Sequence, residues 1–108
     1  MCLQGGRYSI GVTWEDQTGK TGVGHAIPST DDSGLFWFFS PSNMELLIKV
    51  LNGCGYNNRY WVFFVATTDQ EFTVTVTDTK TGQSVEYTNP LKNPADAVTD
   101  TDAFATCP

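Results

Sequence analysis

At 108 residues, 40% apolar and 17% charged, the chain has the length and composition of one globular domain, not of a disordered segment. Six basic against twelve acidic residues leave a net charge of -6 with no two Lys or Arg adjacent. That balance excludes nucleic acid and anionic membrane surfaces, which need concentrated positive charge. The apolar run Leu46 to Leu51 is broken by Lys49, and no stretch reaches the roughly 20 apolar residues of a membrane span.

The first patterned segment, RYSIGVTWE, alternates with a period of two. Tyr8, Ile10, Val12 and Trp14 share one face and Ser9, Gly11 and Thr13 the other, which predicts a half-buried strand. Asp16 to Gly19 is a turn, and GVGHAI is a shorter strand ended by Pro28, the two strands forming a hairpin. After the polar turn STDDSG comes LFWFF, too short and too apolar for an amphipathic helix; it reads as a strand covered on both faces and closed by Ser40-Pro41.

SPSNME has the residues for one helical turn. ELLIKVL has helical propensity, but β-branched Ile48 and Val50 and the following Asn52-Gly53 favour a strand. NGCGYNN reads as a loop, and RYWVFFVA as a continuous apolar strand near the centre of a sheet. EFTVTVTDTKTGQSVEYTN is a hairpin, with Phe72, Val74 and Val76 inward, a threonine ladder outward and Gly82 at a positive-φ turn position. Residues 90–108 fade into an acidic, small-residue tail expected to lie over the surface, anchored by Phe104.

The pattern predicts a single all-β domain over residues 1–108. It is read as a two-sheet antiparallel β-sandwich of about seven strands, immunoglobulin-like or a related Greek key, with a small barrel as the alternative. No basic and apolar leader precedes Cys2, so Met1 reads as an added start. A bond between Cys54 and Cys107 would pin the tail, contribute roughly 3 to 4 kcal/mol and point to an oxidising compartment. Three reduced thiols, or a Cys2 to Cys107 staple, are the competing readings.

Catalytic chemistry has little to work with. His25 is the single histidine, and a Ser9–His25–Asp arrangement across strands has no nucleophile elbow, phosphate loop or zinc signature to support it. The expectation is no enzyme, no cofactor and no metal. The loop carboxylates Asp31, Asp32, Asp96, Asp100 and Asp102 are of the type that holds calcium, but no EF-hand spacing occurs and turn aspartates ordinarily cap their own backbone.

The aromatic supply is the remaining signal. LFWFF and RYWVFFVA carry rings on both sides, and any outward set left uncovered forms a contact surface. Tyr56, Arg59 and Tyr60 beside the Cys54 loop, together with Trp37, are the candidate contact residues.

Taken together, GRYSIGVTW, DSGLFWFFSPSNMELLIKVLNG, NNRYWVFFVA, EFTVTVTDTKTG, YTNP and DAFATCP resemble an uncharacterised family of small β-sandwich modules in predicted secreted bacterial proteins. The resemblance spans nearly the whole chain. It implies a secreted or cell-surface location and supports pairing of Cys54 with Cys107; it implies no activity. The expectation is therefore a non-catalytic accessory module contacting a protein or polysaccharide partner, its oligomeric state left open. A purely structural domain of a larger protein and a protease inhibitor presenting NGCGYNNRY are the alternatives.

Overall fold

The alternation in residues 8–15 does what its period requires. In the computed structural model, which describes residues 1–107, strand β2 (Tyr8–Glu15) turns Tyr8, Ile10, Val12 and Trp14 into the core. It pairs antiparallel with β8 (Glu71–Asp78) along its whole length, so Ile10 faces Val76, Val12 faces Val74 and Trp14 faces Phe72. The hairpin from β8 to β9 (Ser84–Asn89) turns through Gly82, whose φ of 78° is open to glycine at little cost. Two short strands, β1 (Cys2–Leu3) and β3 (Thr21–Val23), pair with opposite ends of β2 and complete the first sheet, in the order β1-β2-β8-β9 with β3 also paired to β2.

The second sheet has the order β10-β7-β6-β5-β4, antiparallel throughout. Its strands are β4 (His25–Pro28), β5 (Ser33–Trp37), β6 (Met44–Asn52), β7 (Tyr60–Ala66) and β10 (Val98–Phe104). The β-branched residues of ELLIKVL prevail over its helical propensity: Leu46, Ile48 and Val50 of β6 are buried against the first sheet. The two sheets enclose one core of aliphatic and aromatic side chains.

Four expectations need correction. GVGHAI is not one strand: at Gly24 the chain leaves the first sheet for the second, separating β3 from β4. The crossing is tight, since a Cβ on Gly24 would stand 3.0 Å from Val12 Cβ, so glycine lets the backbone bend against the core. LFWFF is not covered on both faces, because Phe36 and Phe38 point inward while Leu35 and Trp37 are only half-buried and Phe39 is half-exposed. The tail is not merely draped over the surface. Residues 98–104 form edge strand β10 against β7, and Phe104 is fully buried 4.9 Å from Tyr8, inside the sandwich rather than over its outer face. With β1 and β10 added and GVGHAI divided, ten strands form rather than about seven. The NGCGYNN stretch contains one helical turn, α1 (Cys54–Asn57), closed by left-handed Asn58 at φ 60°.

The C-terminal end is held by a polar node inside the sandwich. Arg7 donates through Nε and Nη2 to both oxygens of Asp78 at 2.8 and 3.0 Å, and again through Nη2 to the Thr106 carbonyl at 2.8 Å. Tyr8 Oη and Thr106 Oγ1 share a hydrogen bond at 3.0 Å, and the guanidinium lies 5.5 Å from the ring centres of both Tyr8 and Tyr60. One residue further on, Cys107 is bonded to Cys54, while Cys2 is free and exposed. Of the cysteine readings, the Cys54 to Cys107 pair is the one that forms.

Two predictions follow from this node. Asp78 has no exposed side-chain surface, so Asp78→Ala strands a guanidinium among apolar groups, and urea unfolding should show a loss of about 3 kcal/mol or more. The Arg7 guanidinium holds the Asp78 carboxyl far below the usual carboxylate range, so its stabilisation is complete above the unfolded value of about 3.9 and is lost as pH falls below it. Thermal melts between about pH 5 and pH 2 should therefore slope less in Asp78→Asn than in the parent chain. Separately, the disulfide closes a sequence separation of 53 residues, so the Cys54→Ser, Cys107→Ser pair should lose about 4 kcal/mol in the same assay.

Candidate functional site

The outer faces of the two sheets differ in chemistry. On the first, the outward positions of the paired strands are Ser9, Gly11 and Thr13, then Thr73, Thr75 and Thr77, then Ser84, Glu86 and Thr88. Thr73 and Thr88 bond through their hydroxyls at 3.1 Å. This is how a solvated sheet face is ordinarily built. On the second, cross-strand rows run Ile27, Leu35, Leu47, Val65 and Ser33, Lys49, Phe63, Thr99, with Leu51 opposite Trp61 and His25 opposite Trp37. Ile27 is 40% exposed and Val65 45% among the described residues.

The register of β7 creates this face. Tyr60, Val62, Phe64 and Ala66 are buried, so a period of two sends Trp61, Phe63 and Val65 outward. Tyr56, 85% exposed on α1, stands 5.6 Å from the Trp61 ring, and Trp61 lies 5.9 Å from Phe63 with the planes 11° apart. These three rings form a ledge along one side of the sheet.

The ledge is held in place from beneath. Trp61 Nε1 donates to Asn57 Oδ1 at 2.8 Å, and Asn57 Nδ2 donates to the Thr101 carbonyl of β10 at 2.7 Å. The indole lies against bare backbone, since a Cβ on Gly53 would come within 2.2 Å of Trp61 Cε2 and Nε1. The disulfide fixes the first residue of α1, and Arg59 pairs with exposed Asp102 at 2.8 Å. Beside the ledge, Leu47, Lys49, Phe63 and Val65 face Ala97 to Thr99 across an apolar groove of about 180 Å3. His25 and Trp37 stack at 4.0 Å on the far side.

Of the residues singled out from sequence, Tyr56 is on the ledge, Arg59 is at its rim and Trp37 is on the same face two strands away from β7. Tyr60 is not a contact residue: 8% exposed, it packs 4.8 Å from Tyr8 in the core. Its neighbours Trp61 and Phe63 take the outward positions. The signal for them was present in the strict alternation through RYWVFFVA, but with every position apolar the pattern does not say which set is inside.

The chemistry available elsewhere is limited. Ser9 and His25 stand on different sheets and are not brought together. Four of the five aspartates of calcium-holding type have hydrogen-bond partners of their own: Asp31 accepts from the Gly5 amide, Asp32 from Gln4, Asp100 from Tyr87 and Asp102 from Arg59. Among the described residues no group of three or more metal-ligating side chains gathers. Burial and the Asp100 carboxylate push the Tyr87 hydroxyl far above its ordinary value, so it is a fixed donor bridging β9 to β10. Burial also raises the Glu45 carboxyl, which accepts from Asn43.

Gly53→Ala should displace the Trp61 indole without touching the core. In NMR spectra the Trp61 Nε1 proton is expected to lose the shift and exchange protection of its bond to Asn57, while the signals of Val62 and Phe64 stay in place. Comparison with protein-family models, with curated proteins and with solved structures finds no match to this chain.

Proposed function

We propose that the chain is a non-catalytic extracytoplasmic binding module that engages a protein or polysaccharide partner on the outer face of its second sheet. The observation that carries this reading is the asymmetry of the two outer faces. One is threonine, serine and glutamate, with Val23 at its edge as an exposed apolar side chain; the other is leucine, isoleucine, valine and aromatic across four paired strands. Both belong to the same small sandwich, so the difference is not a demand of the fold. Apolar area left in water is a contact surface awaiting its complement.

The setting agrees with this reading. A disulfide joining a surface turn to the C-terminal end suits an oxidising compartment, and no helix is long and apolar enough to cross a membrane. The resemblance to secreted bacterial sandwich modules enters here as part of the proposal. The ledge of Tyr56, Trp61 and Phe63 supports a polysaccharide reading, because pyranose rings stack on aromatic faces and the ring spacings are on the scale of one sugar. The inhibitor alternative has less support, since Cys54–Asn57 is a helical turn rather than the extended segment a protease cleft accepts.

The structural-domain alternative makes the opposite prediction about stability. Replacing Leu47, Phe63 and Val65 together by Thr copies the outer face of the first sheet. If the face exists for contact, the variant folds and loses about 1 kcal/mol per site or less, because these side chains are half-exposed already. Collapse of the fold in circular dichroism would instead make the face structural. Retention of the parent chain on insoluble cellulose or chitin, lost in Trp61→Ala, would assign a polysaccharide partner.

A further inference from the structure

We infer that the occupant of this face is a protein surface, itself apolar, that places a carboxylate over Lys49. The inference rests on the contact-face reading and goes further by naming the partner's chemistry. Lys49 lies on β6, the middle strand of the five, between Leu47 and Leu51 and opposite Phe63. It is the only exposed Lys, Arg, Asp or Glu on β4 to β7, since Glu45, the other charged residue of these strands, is buried. It is exposed, and among the described residues it belongs to neither of the two ion pairs, Arg7 with Asp78 and Arg59 with Asp102. In a chain of net charge -6, the centre of the most apolar surface is therefore positive.

Three physical consequences select the partner. An ammonium covered by an apolar surface without a counter-charge is costly to desolvate, so whatever seats here must bring an anion to that point. A second copy of this chain stacked about a two-fold axis through the middle of the face would set Lys49 against Lys49, so the same residue guards against self-association. A polysaccharide needs many hydrogen-bonding groups for its hydroxyls, and beyond the ledge this face offers few: Ser33, Lys49, Thr99 and His25. Leu35, Leu47 and Val65 suit apolar side chains instead.

The footprint sets the strength. Five strands about 4.8 Å apart, with outward positions about 6.6 Å apart along each, give roughly 500 Å2 per partner. That is below the roughly 800 Å2 per partner of a standard specific interface, so contact through this face alone is micromolar or weaker.

The defined probe is the chain itself carrying Lys49→Glu, which supplies the same apolar surface with a carboxylate at its centre. Sedimentation at about 0.15 M salt, where the Debye length is about 8 Å, should show the parent and the variant each monomeric and a 1:1 mixture associating at least about tenfold more tightly than either alone. Adding Phe63→Ser to both partners should abolish that association, and Lys49→Met alone should self-associate more than the parent. Circular dichroism confirms that each variant is folded. A mixture no tighter than the parent alone overturns the inference. So does retention on cellulose or chitin that is lost in Trp61→Ala but unchanged by Lys49→Met, which gives the face to a sugar. Unfolding of the Leu47, Phe63 and Val65 threonine variant would instead remove the contact-face reading on which the charge argument stands.

Discussion

The bidentate pair between Arg7 and Asp78 is the constraint on which the remaining structure depends. It joins the residue before β2 to the last residue of β8, and these two strands form the longest continuous pairing in the first sheet. Through the Thr106 carbonyl the same guanidinium holds the C-terminal stretch, and the adjacent Tyr8 and Tyr60 rings pack against it, leaving 18% of the Arg7 side chain exposed. A buried ion pair of this kind contributes little net stability compared with apolar residues of the same volume, but it tolerates no alternative placement. Once Thr106 is fixed, Cys107 is delivered to Cys54, α1 is set against β7, and the Trp61 indole has its Asn57 acceptor. The outer face of the second sheet is therefore tied, through Thr106 and the disulfide, to a polar interaction inside the sandwich.

The two outer faces record two solutions to one problem. A sheet must bury one side and leaves the other to be settled by its surroundings. The first sheet settles it with hydroxyls, which satisfy themselves and water alike. The second keeps branched and aromatic side chains outward and places one ammonium among them. That ammonium does little for the fold, since it joins neither ion pair among the described residues, but its hydration shell opposes nonspecific burial of the leucines beside it. The exposed Arg59 to Asp102 pair at the rim is worth under about 1 kcal/mol and serves chiefly to seat the turn that carries Tyr56.

Much of this could be read from the sequence because a period of two is hard to misread when one face is polar. β2 and β8 alternate apolar with Ser, Gly or Thr, and their register and inward sets follow directly. β6 was legible from its β-branched residues and the Asn52-Gly53 that ends it. β5 and β7 were not, because both of their faces are apolar: alternation separates Tyr60 from Trp61 but assigns neither to the interior, and only pairing with β10 and packing on Tyr8 decide it. β10 was hidden for the opposite reason. VTDTDAF is mostly polar, and its strand conformation comes from the exposed edge of β7 rather than from its own preference. The break at Gly24 depends on a close approach to Val12, which no local pattern encodes.

The disulfide also governs how the chain bears mechanical load. Residues 55–106 lie inside the loop that it closes, so tension drawn between the two ends passes from β6 through sulfur to Cys107 and bypasses β7, β8, β9 and β10 entirely. Under pull, only the strands before Cys54 can be extracted. The stretch carrying Trp61 and Phe63 would stay within its covalent ring, bearing no load, while the remainder stretched.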